Sequence, residues 1–556
     1  MAERMSNKRG TAGTEETKDY DAMKTNWEIV IAGGGFAGLA CARHFEKVWG
    51  PKARHRVLLL SAENYFLYQP FLPEVIGASV EPRHVINPLR TLLRWCQIQR
   101  GTVTNIDPRH RRLEFIGLDD PTKKSLMADH LVLALGNVTN LNAVPGMLEH
   151  GLFLKTLADA LQLRERIIRR LEEASLALNA ETRKPLLQFV IVGGGYSGVE
   201  TAGEIFDLLQ SAQHYYPTLD SRELKVTLIH SGSRLFPDLD PEFGGFAQRT
   251  LEDRGVEVLL KHRMKAVSAH AVHFNHSMKI ETRNVICTIG NDCHPVLRGL
   301  EVERKGKYIV TNSYLQLQGA SCIWGIGDTA VNPDGNGGIC PPTAQAAVQQ
   351  GKHAAKNIVK ILSRSDPISF RFRSLGHVAT LGHHNGICIM GGLRIRGLFA
   401  WWLTRTIHLL KLPGLDRKLR IVMDWTLELI FPRDLSYLDL QKTYKTRRIH
   451  LEPGDVLFRQ GESGKAFYVI EEGTMENSRI DDKGHMLFRD ELTSGDHFGE
   501  TCLLDGGMRR STARAITSVR LLVLSSQDFH AMVDHFSSLR HLLQESSLRY
   551  QKGKEN

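Results

Sequence analysis

Glu28-Ile-Val-Ile-Ala-Gly-Gly-Gly-Phe-Ala-Gly38 decides the fold. The apolar run after Glu28 reads as a short buried strand, a glycine turn follows at once, and Leu39 to Val48 reads as a helix. Gly33, Gly35 and Gly38 therefore form G-x-G-x-x-G in the strand–turn–helix setting that gives this motif its meaning. Gly33 permits the turn, Gly35 lets backbone approach a pyrophosphate, and Gly38 lets helix pack on strand. Phe36 and Ala37 lie inside the same turn, where helix N–H groups and the positive dipole end suit phosphate oxygens.

The pattern recurs. Gln188-Phe-Val-Ile-Val192 is the strand, Gly193-Gly-Gly-Tyr-Ser-Gly198 the turn, and Val199 to Gln210 the helix. Gly193, Gly195 and Gly198 repeat the three glycine roles, with Tyr196 and Ser197 inside the turn. Two such folds in one chain predict an α/β protein with two Rossmann-like dinucleotide-binding domains, the layout of a two-dinucleotide flavoenzyme. The first fold is expected to hold FAD and the inserted second one NADH. A third element agrees: Ser321-Cys-Ile-Trp-Gly-Ile-Gly-Asp328 is an apolar strand ending in Gly327 and Asp328. In flavoenzymes of this layout the chain returns here to the first domain, and the aspartate meets the flavin ribityl chain. Gly136 is placed at FAD too. The ribose-binding acids are less regular. The strand at 57–60 ends at Ser61, with Glu63 two residues on, and the strand at 225–229 ends at His230. An acid at such a position favours NADH, and Arg234 leaves NADPH open.

At 556 residues the chain has room for three or four domains, and 42% apolar with 24% charged residues is ordinary for globular cores. A net charge of +10 favours an anionic partner without choosing among nucleic acid, lipid and nucleotide. The eight cysteines are scattered with no C-x-x-C, so no metal is expected. Residues 1–25 read as a polar, disordered tail without a signal peptide, and no uncharged run approaches the ~20 residues of a membrane span.

Further residues carry a resemblance. Asn64-Tyr-Phe-Leu-Tyr-Gln-Pro-Phe-Leu-Pro-Glu74, Ala344-Gln-Ala-Ala-Val-Gln-Gln-Gly351 and the stretch from Leu398-Phe-Ala-Trp-Trp402 to Asp424-Trp425 resemble the type II NADH:quinone oxidoreductases, single-subunit and non-proton-pumping. The resemblance covers about 26–440. It implies electron transfer from NADH through FAD to a membrane quinone, with Ala344 and Gln345 near the flavin. Gln345 and Gln349, four apart, put both amides on one helix face, where they can meet a quinone carbonyl without adding charge. Glu200, on the first turn of the NADH-domain helix, is placed near the nicotinamide and flavin rings, to position the cofactor or relay protons. Gln345, Gln349 and Glu200 are thus the catalytic candidates. Disulfide reductases would need a cysteine pair, and Cys41 stands alone with Cys96 far along the chain. A sulfide:quinone-type enzyme, with Cys340 in a redox pair, is an alternative.

Quinones live in bilayers, and residues 397–431 offer a way there. Phe399, Trp402, Thr406, Leu409 and Leu410 follow helical spacing in 398–411, with Arg405 and Lys411 off that stripe. Leu419, Val422, Met423, Leu427 and Ile430 do so in 418–431, and Pro413-Gly414 separates the two helices. An amphipathic, Trp-bearing basic pair predicts peripheral attachment to an anionic membrane surface. The expected location is the cytoplasmic face of the inner membrane, with a homodimer as the expected assembly.

From about 447 short strands alternate with glycine turns, a β-roll or jelly-roll pattern. Gly454-Asp-Val-Leu-Phe-Arg-Gln-Gly461 and Phe498-Gly-Glu…Arg509 resemble the cyclic nucleotide-binding domain. That resemblance implies that Phe498, Gly499 and Glu500 form the cassette turn, Glu500 takes the ribose hydroxyl, and Arg509 the cyclic phosphate of cAMP or cGMP. Ser511 and Thr512 are expected to face the ligand, while Met508 and Arg510 depart from the family pattern. One closing helix at about 526–548 leaves no room for a helix-turn-helix, so nucleic acid is not expected. The expected domains are 26–150 (FAD, first part), 151–290 (NADH), 291–385 (FAD, second part, with the quinone motif), 386–440 (membrane-facing) and 447–548 (cyclic nucleotide). A rival of another class is a cyclic-nucleotide-responsive membrane scaffold whose flavin does not turn over.

Overall fold

The apolar run at 29–32 becomes the strand Asn26–Ala32, paired in parallel with Val57–Ser61 on one side and Lys124–Leu133 on the other. Ile29, Val30 and Ile31 are fully buried, as a parallel strand covered on both faces requires. The sheet continues outward to Gln97–Arg100 at one edge and, beyond Lys124–Leu133, to Ala320–Gly325 and Gln316–Leu317 at the other. Ala320–Gly325 is parallel to Lys124–Leu133, so the chain returns to its first sheet and delivers Gly327 and Asp328 at the carboxyl end. The computed structural model describes residues 24–526 and 529, except 119, 121, 141–143, 178, 269, 276–277, 438–446, 463, 465, 482–484 and 506–507. Nearly all of the N-terminal tail, most of the linker before 447 and nearly all of the closing helix lie outside the described residues.

Helix α1 (Phe36–Trp49) follows the first turn, starting earlier than the apolar spacing suggested because the residues of the glycine motif themselves enter the helix. Gly35 is its N-cap, and Leu39 N donates to Gly35 O at 2.9 Å. Helix α2 (Leu72–Ile76) is short and buried. A second, all-parallel sheet runs Gly151–Phe153, Asn284–Cys287, Gln188–Val192, Lys225–His230, Glu257–Leu260. Its central strand feeds α3 (Tyr196–Gln213), again from a glycine N-cap, Gly195. Helix α4 (Ala344–Leu362) is capped by the Thr343 hydroxyl and lies against α1 so closely that a Cβ on Gly351 would stand 2.2 Å from Ala37 O.

The strands His377–Thr380, Gly386–Met390 and Leu393–Arg396 form a small antiparallel sheet that leads into α5 (Leu398–Lys411) and α6 (Leu415–Glu428). The second of these begins before the expected residue 418, since Gly414, at φ +84°, completes the turn that Pro413 opens. Phe399, Trp402 and Leu410 on α5 and Leu419, Val422, Met423 and Leu427 on α6 are exposed, as are Ile430 and Phe431. No helix among the described residues is long and apolar enough to cross a membrane.

The chain divides into two compact units at residue 437. The second is built from two four-stranded antiparallel sheets, with α7 (Glu500–Asp505) after His497–Phe498. Phe458, Tyr468, Ile470, Met475 and Leu521 form its core.

Candidate functional site

The two glycine turns have the same geometry. Gly33 (φ +114°) and Gly193 (φ +126°) occupy the left-handed region that disfavours a side chain. A Cβ on Gly38 would meet Gly33 O at 1.9 Å, and one on Gly198 would meet Gly193 O at 1.8 Å, so each third glycine is needed for packing. Gly35 and Gly195 differ: nothing lies within 4 Å of where their Cβ would stand. Each therefore presents open backbone beside a helix start, the space a pyrophosphate needs. The residues fit two dinucleotides.

Around the first turn, Ser61 is buried at its strand end and lies against Gly34, while Glu63 is exposed and 3.8 Å from Arg100. Gly136 (φ +70°) donates its N–H to Thr329 Oγ1 at 2.9 Å, and Asn137 Nδ2 donates to Asp328 Oδ2 at 2.9 Å. Lys155 donates in turn to Asn137 Oδ1. Burial pushes the Asp328 carboxyl up, opposed by Lys155, and burial pulls the Lys155 ammonium down. Asp328 is thus held by side chains while keeping acceptor capacity for a ligand hydroxyl. Gly327 (φ +64°) donates to Gln350 Oε1 at 2.7 Å. Gln350 is 2% exposed and also takes Asn332 Nδ2 at 3.1 Å. Sequence reasoning passed over it for its neighbours, although its place one residue before the packing Gly351 was a usable signal.

Ala344 opens α4, and Gln345 and Gln349 share the face expected. Gln345 Nε2 donates to Gly376 O at 3.2 Å and its Oε1 accepts from Leu375 N at 2.9 Å. Gln349 clips Arg373 in the same two-handed way, at 2.8 and 3.1 Å. Both amides hold the segment 373–376 against α4 and retain one N–H and one lone pair each.

At the second turn, the His230 ring packs under Gly194 and its Nδ1 accepts the Gly194 N–H at 3.2 Å, with burial lowering its pKa. Arg234 donates to Pro237 O at 2.9 Å. Tyr196 meets His377 Nδ1 at 2.9 Å and packs on Phe236, while Ser197 is exposed. Glu200 Oε1 accepts the Thr380 N–H at 3.1 Å. Desolvation pushes Glu200 up to about 8, with Glu74 and Glu204 adding to the rise against that hydrogen bond.

Cys96, far from Cys41 in sequence, is near it in space: its thiol donates to Ala42 O at 3.6 Å on α1, and Cys41 helps to raise its pKa. Burial pushes both thiols well above the usual range, and the eight cysteines are free. One expectation needs correction: Arg405, placed off the stripe of a basic amphipathic helix, is buried at 5% exposure between Glu74 and Glu428, and Arg433, at 9%, is paired with Glu204 and Glu428. The described residues hold no cluster able to ligate a metal.

In the second unit, Phe498 is buried and stacks on Tyr468, and Gly499 is at φ +91°. Arg509 is 4% exposed; it donates to Ala466 O at 2.8 Å and Gly499 O at 3.1 Å and lies over the Phe458 ring. Its Nε and the Oε2 of the buried Glu500 have no hydrogen-bond partner among the described residues. An unsatisfied donor and an unsatisfied acceptor, brought together by the Arg509 hydrogen bond to Gly499 O beside Glu500, fit a ligand carrying both a phosphate and a hydroxyl. Ser511 and Thr512 are half-buried, and Thr512 Oγ1 accepts from Gln460 N at 3.0 Å.

Comparison with known proteins agrees with this geometry. The family described as pyridine nucleotide-disulphide oxidoreductase matches residues 27–351, and the cyclic nucleotide-binding domain matches 448–536. The demethylphylloquinone reductase NdbB of Synechocystis sp. is 29% identical over 405 residues, covering 71% of this chain and 95% of that protein. The type II NADH:quinone oxidoreductase Ndh of Mycobacterium tuberculosis is 27% identical over 440 residues, covering 75% and 92%. Among solved structures, Plasmodium falciparum NDH2 in complex with NADH superposes with a TM-score of 0.69 at 18% identity, covering 74% of this chain and all of that one.

Proposed function

The chain belongs to the pyridine nucleotide-disulphide oxidoreductase family, and from that premise we propose that it is an FAD-dependent NADH:quinone oxidoreductase. The observation that carries the proposal is the pair of open glycine turns on two parallel sheets, joined by the return strand that brings Asp328 to the first of them. When bound, the flavin supplies two-electron chemistry, accepting hydride from the nicotinamide and passing electrons to a quinone. The protein's part is placement. Gly35 and Gly195 admit the pyrophosphates, Gly136, Asp328 and Gly327 with Gln350 behind it shape the flavin side, and His230 with Tyr196 and Glu200 borders the nicotinamide nucleotide. NADH is favoured because Arg234 is turned to its own loop. Gln345 and Gln349 hold 373–376 as one wall of the quinone approach and offer their spare hydrogen-bonding groups to a quinone carbonyl.

The named activities of the listed relatives, quinone reductase and NADH:quinone oxidoreductase, support this acceptor. The exposed apolar faces of α5 and α6 are the membrane contact, at the cytoplasmic face of the inner membrane, with the exposed Lys411 and Arg420 toward anionic headgroups. A homodimer would draw on the same unit. The second unit takes cAMP or cGMP through Glu500 and Arg509 and adjusts quinone reduction with a coupling of about 1–3 kcal/mol. One experiment tests the core of this. Purified yellow protein should bleach with NADH in the absence of oxygen and recolour with a soluble quinone; a yellow protein that NADH leaves unchanged would refute the oxidoreductase assignment. Repeating the assay with each cyclic nucleotide tests regulation, and an unchanged rate, affinity and vesicle partitioning rejects it.

A further inference from the structure

The second parallel sheet has its glycine turn at one end and a cavity of about 300 Å³ at the other. Gly193 follows the carboxyl end of Gln188–Val192. The cavity lies where the strands begin: Gly151, Arg283 and Val285 line it, and the neighbouring Asn284 is level with Phe189 of the central strand. Four residues at about 3.3 Å each put roughly 13 Å of strand between that level and Gly193. Nucleotides on open α/β sheets lie at the carboxyl ends of the strands, so the dinucleotide does not account for this space.

The helix Leu157–Ser175 forms another wall, and Gln162, Arg166 and Arg170, four residues apart, share the face that lines it. Arg170 is held in place. Its Nε donates to Oδ1 of the fully buried Asn284 at 3.1 Å, its Nη1 pairs with Glu173, and its side chain is 12% exposed. Its Nη2 makes no hydrogen bond among the described residues. Arg166 is half-buried, with neither a hydrogen bond nor an ion pair among the described residues. Burial, then Arg170 and Arg169, pull its pKa down, and only Glu173 opposes them. Arg283 adds a third guanidinium from the strand side. The carboxylates on the wall do not balance these cations. Asp159 accepts the N–H groups of Lys155 and Thr156 at 3.0 and 2.8 Å, and Glu149 is exposed without an ion pair among the described residues.

A guanidinium that loses water beside others of its own sign is costly until an anion shares the space. Guanidinium forks match phosphoryl oxygens two at a time, and three of them suit a dianion better than a single carboxylate. Phe153 and Val285 give the cavity an apolar side, which suits a carbon skeleton carried by the phosphate. We propose that this cavity binds a small organic phosphate monoester, with the phosphoryl group on Arg166, Arg170 and Arg283 and the organic part against Phe153 and Val285. The site is separate from both dinucleotide turns and from the cassette of the second unit. Glu149 opposes the anion, so the charge of the wall can be changed in either direction.

Calorimetric titration of the full chain tests this, with excess FAD, NAD⁺ and cAMP present to fill the other phosphate sites. The probes are phenyl phosphate, inorganic phosphate and acetate. Phenyl phosphate should bind saturably at one equivalent per chain, inorganic phosphate about tenfold more weakly, and acetate without saturation. R166Q should lower the affinity for phenyl phosphate at least tenfold, as loss of a charge-assisted pair does. E149Q, at an exposed residue, should raise it about threefold. No saturable phosphate binding to the wild type, binding that R166Q leaves unchanged, or acetate bound as tightly as phosphate would overturn the site. If R166Q does not fold, E149Q decides alone, and an affinity that stays the same or falls there overturns the proposal.

Discussion

Each unit of the chain has a glycine turn for which a phosphate is proposed, and the two turns are built from opposite materials. In the first unit the site is made of absence: nothing within 4 Å of the missing Cβ of Gly35 or Gly195, backbone N–H groups at a helix start, no charged side chain required. In the second, the missing Cβ of Gly499 would stand 2.6 Å from Arg509 Nη1, so the space beside the turn is filled by a buried cation. A backbone site tolerates almost any change except an added carbon. A side-chain site tolerates added carbons nearby but not loss of the ion. That difference can be broken experimentally.

The largest effect should come from the packing glycines. Gly38→Ala puts a methyl 1.9 Å from Gly33 O and should cost about 3 kcal/mol or prevent folding, read by thermal unfolding. Gly35→Ala is its contrast: with φ at −75° and open space, the unloaded protein should melt as the wild type does and yet purify without flavin. Retained yellow colour in Gly35→Ala would break the backbone-site interpretation. Gly195→Ala should keep flavin while raising the NADH concentration needed for bleaching about tenfold, near 1.4 kcal/mol.

Arg509→Leu sharpens the other side of the comparison. Cyclic-nucleotide affinity by calorimetry should fall about 10- to 100-fold, as for loss of charge-assisted hydrogen bonds. The second unit should also weaken, because Ala466 O and Gly499 O lose their donor. Unchanged affinity would mean that the turn alone holds the ligand.

A pH trend follows from Glu200. Its carboxyl ionises near the ordinary 4.5 in the unfolded chain and near 8 in the fold, so the folded state binds the extra proton between those values. The stability it contributes is complete below the unfolded pKa and is lost as pH rises toward the folded one. Melting temperature should therefore decline from about pH 5 to about pH 8, and Glu200→Gln should flatten the decline. The smallest effect is expected at the membrane face. Trp402→Ala, at a residue 61% exposed, should weaken partitioning onto anionic vesicles by about 1 kcal/mol, below the ~1.5–3 kcal/mol of full burial, and leave soluble-quinone turnover intact.

The α/β class and both dinucleotide folds were legible because their cues are local: strand, glycine spacing and helix occur within about twenty residues. The return strand ending at Asp328 was legible for the same reason. Most of the exposed stripes of α5 and α6 followed from spacing, with Leu409 the exception, since it is half-buried against the core of this unit. Three features were not legible. Arg405 looked like a solvated residue off the stripe, yet Trp401 and Trp425 enclose its guanidinium and Glu74 and Glu428 neutralise it. Gln350 was hidden behind the better-known spacing of Gln345 and Gln349, although it alone of the three meets Gly327. Cys96 was set aside by sequence distance, which packing on α1 cancels.

By itself, then, the sequence determined where backbone must come close to a phosphate, because glycine spacing and apolar period act over a few residues. Tertiary structure alone decided which charges lose their water. Glu74, Glu204, Arg405 and the pair Glu428 and Arg433 come from four stretches of chain, and none is marked as buried by its own neighbours in sequence. Desolvation is set by whatever packs around a group from every side. Only folding could bring those carboxyls to two shared guanidiniums.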